Sequence, residues 1–598
     1  MRKAVLAVAA LLCLASSVWA IAENTKPPEI MPLDQIHAGM RGTAYTVFQG
    51  TKPEPMEVEV LGVLRNANGP KGDVILVRLV GTKPEYTGVV AGMSGSPVYF
   101  DGKLAGALAF RIGEFSKEPI AGVTPIAEML EIDALDHRPM PDPVQASPNP
   151  PNSTARTSSP GETPTLPVQG YSNYLRPIEA PLVFNGFSEE TLRRFAPQFA
   201  AAGITPVMGI GSSNDSKQPE PIVAGSAVSA VLVRGDMDIA AACTVTYVDA
   251  QRLLACGHPL MQFGRVDFPM NKATVVATLP SPYNAFKIVN TTEPVGSFVQ
   301  DRHTGILGLF GKEPKMIPVT LTIHADGATT REFHYEMLNN ARLSPVVMMA
   351  TVFNALRGTN EYGDDITYRM TGALAIKGFP DVTLQNMYAP LDGAQPAAAL
   401  VAGGIGDRFG RIYDNPFESP DIQGVTLNFD LVRERRSARL EASRTDVTEA
   451  RPGDEIIVET VLRPYRGERM VRQISIRIPT TTSKGTLRIL VSDGETLDRM
   501  RRAMPMMNRK LGLLSTIALL NKEHANNRVY VSLLEADPEA MVADKVMPTL
   551  PLSVMNVMDN MRGTQEMVVL GESSVNEAST DPLDYVVTGG QLLTVTVK

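Results

Sequence analysis

Thr87-Gly88-Val89-Val90-Ala91-Gly92-Met93-Ser94-Gly95-Ser96-Pro97-Val98-Tyr99-Phe100-Asp101-Gly102-Lys103 is the stretch on which the fold turns. Glycines on either side of Ser94 let the backbone turn tightly and leave amide N–H groups free to face an oxyanion. Val98-Tyr99-Phe100 reads as a strand. Asp101-Gly102 then reads as the two-residue turn of a hairpin into residues 104–110. Two readings fit these residues: a nucleophilic serine at the mouth of a β-barrel, or a Gly/Ser-rich loop that only joins strands.

Upstream, residues 39–48, 57–64 and 73–80 are short alternating or apolar runs separated by Gly, Pro or Lys turns. That is the pattern of a small all-β barrel or sandwich. Downstream come a strand at 121–126 and a short helix over 127–135. Residues 142–167 are rich in Pro, Ser, Thr and Asn and read as a linker. Ser188-Glu189-Glu190 opens a capped helix. A second β-rich block follows, with strands expected at 227–234, 242–248, 253–256, 273–279 and 316–324. Its centre is Leu253-Leu254-Ala255-Cys256-Gly257-His258-Pro259-Leu260. From about residue 437, alternating strands at 454–462, 471–478 and 486–492 suggest an immunoglobulin-like or related β-sandwich. Helices are expected at 496–507 and 513–524, and closing strands at 585–598. No internal repeat is evident.

The serine stretch, with Asp101-Gly102-Lys103-Leu104-Ala105-Gly106-Ala107 after it, resembles the serine region of the stage IV sporulation protein B (SpoIVB) peptidase family. In that family the first serine of the Gly-Met-Ser-Gly-Ser-Pro run is the nucleophile, which maps onto Ser94. The Cys256-Gly257-His258-Pro259 element, with Gly296-Ser297-Phe298 and Gly305-Ile306-Leu307-Gly308, also resembles the family. There the Gly-His element carries the base, which maps onto His258. The resemblance implies a chymotrypsin-like fold of two β halves and limited, regulatory cleavage, of itself included.

A serine hydrolase needs a nucleophile, a base within reach of it, an orienting group behind the base, and oxyanion donors. Ser94 and His258 are the candidate catalytic pair, and the N–H groups of Gly92, Met93 and Ser94 the candidate oxyanion donors. His258, one of seven histidines, otherwise reads as a structural residue capping a strand end. The chain departs from the family twice. The serine block precedes the histidine block, the reverse of the family order. The family's aspartate position falls on Leu79 or Val80, neither of which can orient an imidazole. Asp73 lies at the far end of that strand, and Asp249, Asp267 and Asp301 are nearer His258 in sequence. No aspartate is carried over.

The N-terminus reads as a secretory signal: Arg2 and Lys3, an apolar run from Ala4 to Ala15, and Val18-Trp19-Ala20 for cleavage. The run is too short for a membrane helix, and no later segment is long and apolar enough. Cleavage changes the net charge from −8 to −10 by removing two cations, which argues against a nucleic-acid partner. Cys243 and Cys256 then remain. Centring a hairpin on Asp249-Ala250 places them opposite one another, as a disulfide or as two buried thiols. Metal, phosphate-loop and dinucleotide motifs are missing, so no metal or cofactor is expected.

At 598 residues the chain should hold several domains. The boundaries read as a signal peptide over 1–20, a serine half over 27–137, a linker over 138–170 and a helical connector over 171–222. A histidine half over 223–385, a connector over 386–436 and the C-terminal sandwich over 437–598 follow. The fold class is mainly β: chymotrypsin-like half-barrels forming a split peptidase region, plus a sandwich-like domain with some helices. The expected function is an exported, periplasmic or extracellular serine endopeptidase acting on protein or peptide substrates. The alternative is an inactive secreted scaffold or binding protein of the same fold, and the missing aspartate is its main support.

Overall fold

The computed structural model describes residues 27–134, 175–502, 511–542, 545–547, 553–554 and 567–598. Within these it leaves out 114–116, 179, 181, 202–205, 210–216, 263, 282–284, 326–328, 361–362 and 392–394. The expected signal at 1–20 and the linker at 138–170 therefore lie outside the described residues. The fold is mainly β, in two compact units. The first holds the described residues up to Met316 with Glu336–Asn340, and the second holds Ile317–Tyr335 and Ala341–Lys598.

The first unit contains two closed barrels. The strands of one are β1 (Arg41–Thr46), β2 (Glu54–Leu64), β3 (Val74–Val80), β4 (Pro97–Phe100), β5 (Lys103–Ile112) and β6 (Ile120–Pro125). They pair in the order β4-β1-β2-β3-β6-β5, and a β4–β5 pairing closes the ring. The strand β7 (Leu175–Pro177) adds to β5, and β8 (Leu182–Asn185) and β9 (Pro206–Met208) add to the other barrel. That barrel is built of β10 (Ala227–Gly235), β11 (Asp238–Val248), β12 (Arg252–Ala255), β13 (Gly264–Leu279), β14 (Phe286–Arg302) and β15 (Gly305–Phe310). Its order is β10-β13-β14-β15-β12-β11, closed by β10–β11. Numbered from its own first strand, each barrel closes as 1-2-3-6-5-4. The two halves expected from sequence are thus complete barrels of one topology, a duplication with no visible sequence repeat.

The barrels dock through strands that are buried on both faces. In β5 the run from Leu104 to Phe110 is buried throughout. Leu108 joins the core of the first barrel, while Leu104 and Ala107 pack with Tyr247, Leu254 and Leu307 of the second. A strand covered on both sides loses the polar alternation of a half-exposed one, which is why this segment reads as a continuous apolar run. The Asp101-Gly102 turn takes positive φ at both residues (48° and 75°), the geometry that fits the twist of a tight hairpin.

In the second unit two sheets form a sandwich. One contains Met470–Arg477, Glu455–Pro464, Ser437–Thr445 and Val586–Thr588; the other includes Gly485–Ser492, Tyr530–Val542 and Gly590–Val597. Ile456, Val458, Ile474 and Ile476 of the first meet Leu487, Ile489, Val531 and Val595 of the second. Two helices, Ser344–Thr359 and Ala397–Tyr413, pack together in this unit.

Candidate active site

Ser94 and His258 occupy equivalent places, each in the connection between the third and fourth strands of its barrel. Ser94 lies just before β4. Its loop is fixed almost atom by atom. Met93 N–H donates to Val90 O at 3.0 Å, and Gly95 N–H to Leu108 O at 2.7 Å. Ser96 donates to Met93 O through both its N–H (3.0 Å) and its hydroxyl (2.6 Å). The second barrel holds the rest: Thr244 N–H donates to Ser94 O at 2.8 Å, and the Thr244 hydroxyl to Gly92 O at 3.0 Å. The Thr246 hydroxyl donates to Gly95 O at 2.7 Å. Gly95 has φ +92°, and a Cβ there would sit 1.9 Å from Thr244 O and 2.6 Å from Cys256 N. Only glycine fits.

Two donors of this loop stay free. Among the described residues, Gly92 N–H and Ser94 N–H donate to nothing. In a trans peptide the C=O and N–H point in opposite directions, so each free N–H is aimed by the carbonyl of its own plane. Ala91 O accepts Lys287 N–H at 3.1 Å, which orients Gly92 N–H; Met93 O is held by Ser96, which orients Ser94 N–H. The nucleophile's own N–H and that of the residue two before it form a pair suited to an oxyanion. Met93 N–H, the third donor expected from sequence, is committed to the Val90 turn.

His258 follows β12. Cys256 and Gly257 take consecutive positive φ values of 67° and 69°, which turn the chain sharply. Gly257 packs on Ala107 and Ala109, and its carbonyl accepts the Thr124 hydroxyl at 2.6 Å. A Cys243–Cys256 disulfide, with Cα atoms 5.2 Å apart, joins this turn to β11, the strand that also carries Thr244. The hairpin register differs from the one expected. Val248 pairs with Leu253 and Tyr247 with Leu254, so the turn centres on Ala250-Gln251. A register shift between Val245 and Tyr247 then brings the cysteines together.

Ser94 is fully buried and His258 is 3% exposed. Among the described residues, Ser94 Oγ and His258 Nε2 each have no hydrogen-bond partner, so the two are not bonded to each other. His258 Nδ1 lies 2.7 Å from Pro259 O. A carbonyl can only accept, so Nδ1 carries the proton and Nε2 presents a lone pair. Burial lowers the imidazole's pKa from its ordinary 6.5, against an opposing pull from the Pro259 and Ile178 carbonyls. The neutral form of a base is thereby favoured.

Residues 16–129 match the SpoIVB peptidase S55 family. The match covers the first barrel with the Ser94 loop; the His258 barrel lies beyond it. No curated protein and no solved structure matches the chain.

Among the described residues no carboxylate is bonded to the imidazole. Of Leu79 and Val80, on which the aspartate position was expected to fall, Leu79 is buried in the barrel core and neither can orient an imidazole. Asp73 accepts Asn66 N–H at 2.9 Å and pairs with Arg65 at 2.6 Å, and these lower its pKa in that order. Asp249 caps its own hairpin turn and pairs with Arg252; Asp267 binds Ser297 and Lys312. Asp301 is different. It is fully buried at the end of β14, and its two oxygens accept Leu260 N–H and Met261 N–H, both at 2.8 Å. It therefore braces the loop that carries His258. No group of three or more potential metal ligands occurs among the described residues.

Proposed function

We propose that this protein is an exported serine endopeptidase that performs limited cleavage, with Ser94 as nucleophile and His258 as base. The observation that carries the reading is the pair of free N–H groups, Gly92 and Ser94, beside a buried serine hydroxyl with no partner. Ser94 Oγ attacks the scissile carbonyl carbon while its proton passes to His258 Nε2. The tetrahedral oxyanion is received by the two N–H groups. Collapse breaks the C–N bond, and His258 returns the proton to the leaving amine. Water then attacks the acyl ester with His258 again as base, which releases the acid and restores Ser94.

Asp301 replaces the family's aspartate in part. It braces the histidine loop through the Leu260 and Met261 amides, while Pro259 O holds Nδ1–H. The chemistry requires Ser94 Oγ and His258 Nε2, which are not bonded here, to come within hydrogen-bond reach, and an opening that admits substrate to two buried residues. An enzyme that rests closed is suited to regulatory cleavage rather than bulk digestion. Export through the N-terminal signal agrees with a disulfide beside the site, a bond favoured in oxidising compartments.

The test is cleavage of casein and of the protein's own Ser94→Ala variant, with new termini read by mass spectrometry. Wild type should cut both, and Ser94→Ala and His258→Ala neither. Equal cleavage by all three proteins would refute the assignment.

A further inference from the structure

Lys287, near the start of β14, is 1% exposed, and among the described residues no carboxylate meets it. Among those residues its ammonium has one hydrogen bond, donated to the Thr46 hydroxyl at 2.7 Å. Burying an ammonium with only a neutral partner is costly, and such a group marks a site where a charge is used. Its surroundings point to the use. Lys287 N–H donates to Ala91 O, and Ala91 N–H donates to Ala285 O at 2.8 Å, so the start of β14 runs alongside the serine loop. The Lys287 stem covers Gly92: a Cβ on that glycine would lie 3.3 Å from Cδ. Thr46, which receives the ammonium, is on β1, the strand that pairs with β4 directly after the loop.

We propose that Lys287 is a positioning residue of the oxyanion loop, its stem fixing Gly92 and its buried ammonium favouring the negative charge of the tetrahedral intermediate. The inference rests on the peptidase reading above. A charge beneath the loop acts through a water-free interior, where its field is weakly screened. Among the described residues, the groups shown against it are Thr46 on β1, Gly92 of the loop, and Thr278, its cross-strand neighbour on β13. None of these titrates. Burial alone lowers the lysine's pKa from 10.5 to about 7, so the charge is lost as pH rises through that value.

The experiment is the rate constant for labelling by a fluorophosphonate as a function of pH, for wild type, Lys287→Met and Thr46→Val. Wild type should lose rate as the pH climbs past ~7, where the ammonium deprotonates. Lys287→Met, which keeps the stem, should label ~10-fold more slowly at pH 6 and show no alkaline decline. Thr46→Val removes the one bond to the charged form and should move the decline to lower pH. A purely structural lysine would leave the shape of the profile unchanged. Lys287→Met labelled at the wild-type rate, or with the wild-type decline, overturns the inference alone. Folded wild type that is never labelled overturns the peptidase reading, and this inference with it.

Discussion

Replacing Lys287 by Met should stabilise the protein, and by an amount that depends on pH. The fold lowers the lysine's pKa from 10.5 to about 7. The unfolded chain therefore binds the proton more tightly, and folding is penalised wherever the unfolded lysine is charged. At 1.36 kcal/mol per pKa unit, the cost is about 5 kcal/mol at pH 6. It shrinks as the pH climbs from about 7 towards 10.5, and at pH 9.5 is about 1 kcal/mol. Met fills nearly the same space and carries no charge. Urea unfolding followed by circular dichroism, on both proteins at pH 6 and pH 9.5, measures the difference. The variant should be the more stable at both values, by about 3 kcal/mol more at pH 6 than at pH 9.5. A gap that is constant with pH, or a destabilised variant, would refute the reasoning, because the lysine would then be solvated or paired.

Gly95→Ala should cost more than about 3 kcal/mol and abolish labelling by a fluorophosphonate, because the new Cβ meets Thr244 O. A variant that melts like wild type would contradict the packing. His258, with its pKa below 6.5, should keep its Nε2 lone pair in mild acid. The acid limb of the labelling rate should therefore have its midpoint below pH 6.5; a midpoint at or above that value argues against a buried base. Asp301→Asn keeps the shape of the residue that braces the histidine loop but removes its charge. The new NH2 faces one of the two amide donors, so melting should fall and labelling should slow by roughly 10- to 100-fold; an unchanged rate would assign Asp301 no part in holding the histidine loop for catalysis.

Much of the first barrel is legible in the sequence because its signals are local. Glycine around Ser94, the Asp101-Gly102 turn and the alternation of β3 each act within a few residues. The helix after Ser188 is legible for the same reason: the Ser188 hydroxyl accepts Thr191 N–H at 3.2 Å. What escapes is decided by docking. Lys287 sits in Ala285-Phe286-Lys287-Ile288-Val289-Asn290-Thr291, where a lone cation suggests a solvent face, and only the approach of the other barrel buries it. The fate of Met93 N–H depends on how one turn closes onto Val90, which composition does not specify. The cysteine register was displaced because an irregularity in β11 shifts the pairing without leaving a mark in the sequence. Asp301 was one of three nearby aspartates, and its role comes from β14 ending beneath the His258 loop, 40 and 41 residues from the amides it holds.

The most direct test of the Ser94–His258 site is intact mass after treatment with a fluorophosphonate, on wild type, Ser94→Ala, His258→Ala and a denatured control. A single adduct on folded wild type, lost in both variants and in the denatured control, is the expected result. It would establish a serine activated by the histidine of the second barrel. No adduct on wild type, or an adduct that survives in His258→Ala at the wild-type rate, would contradict the account.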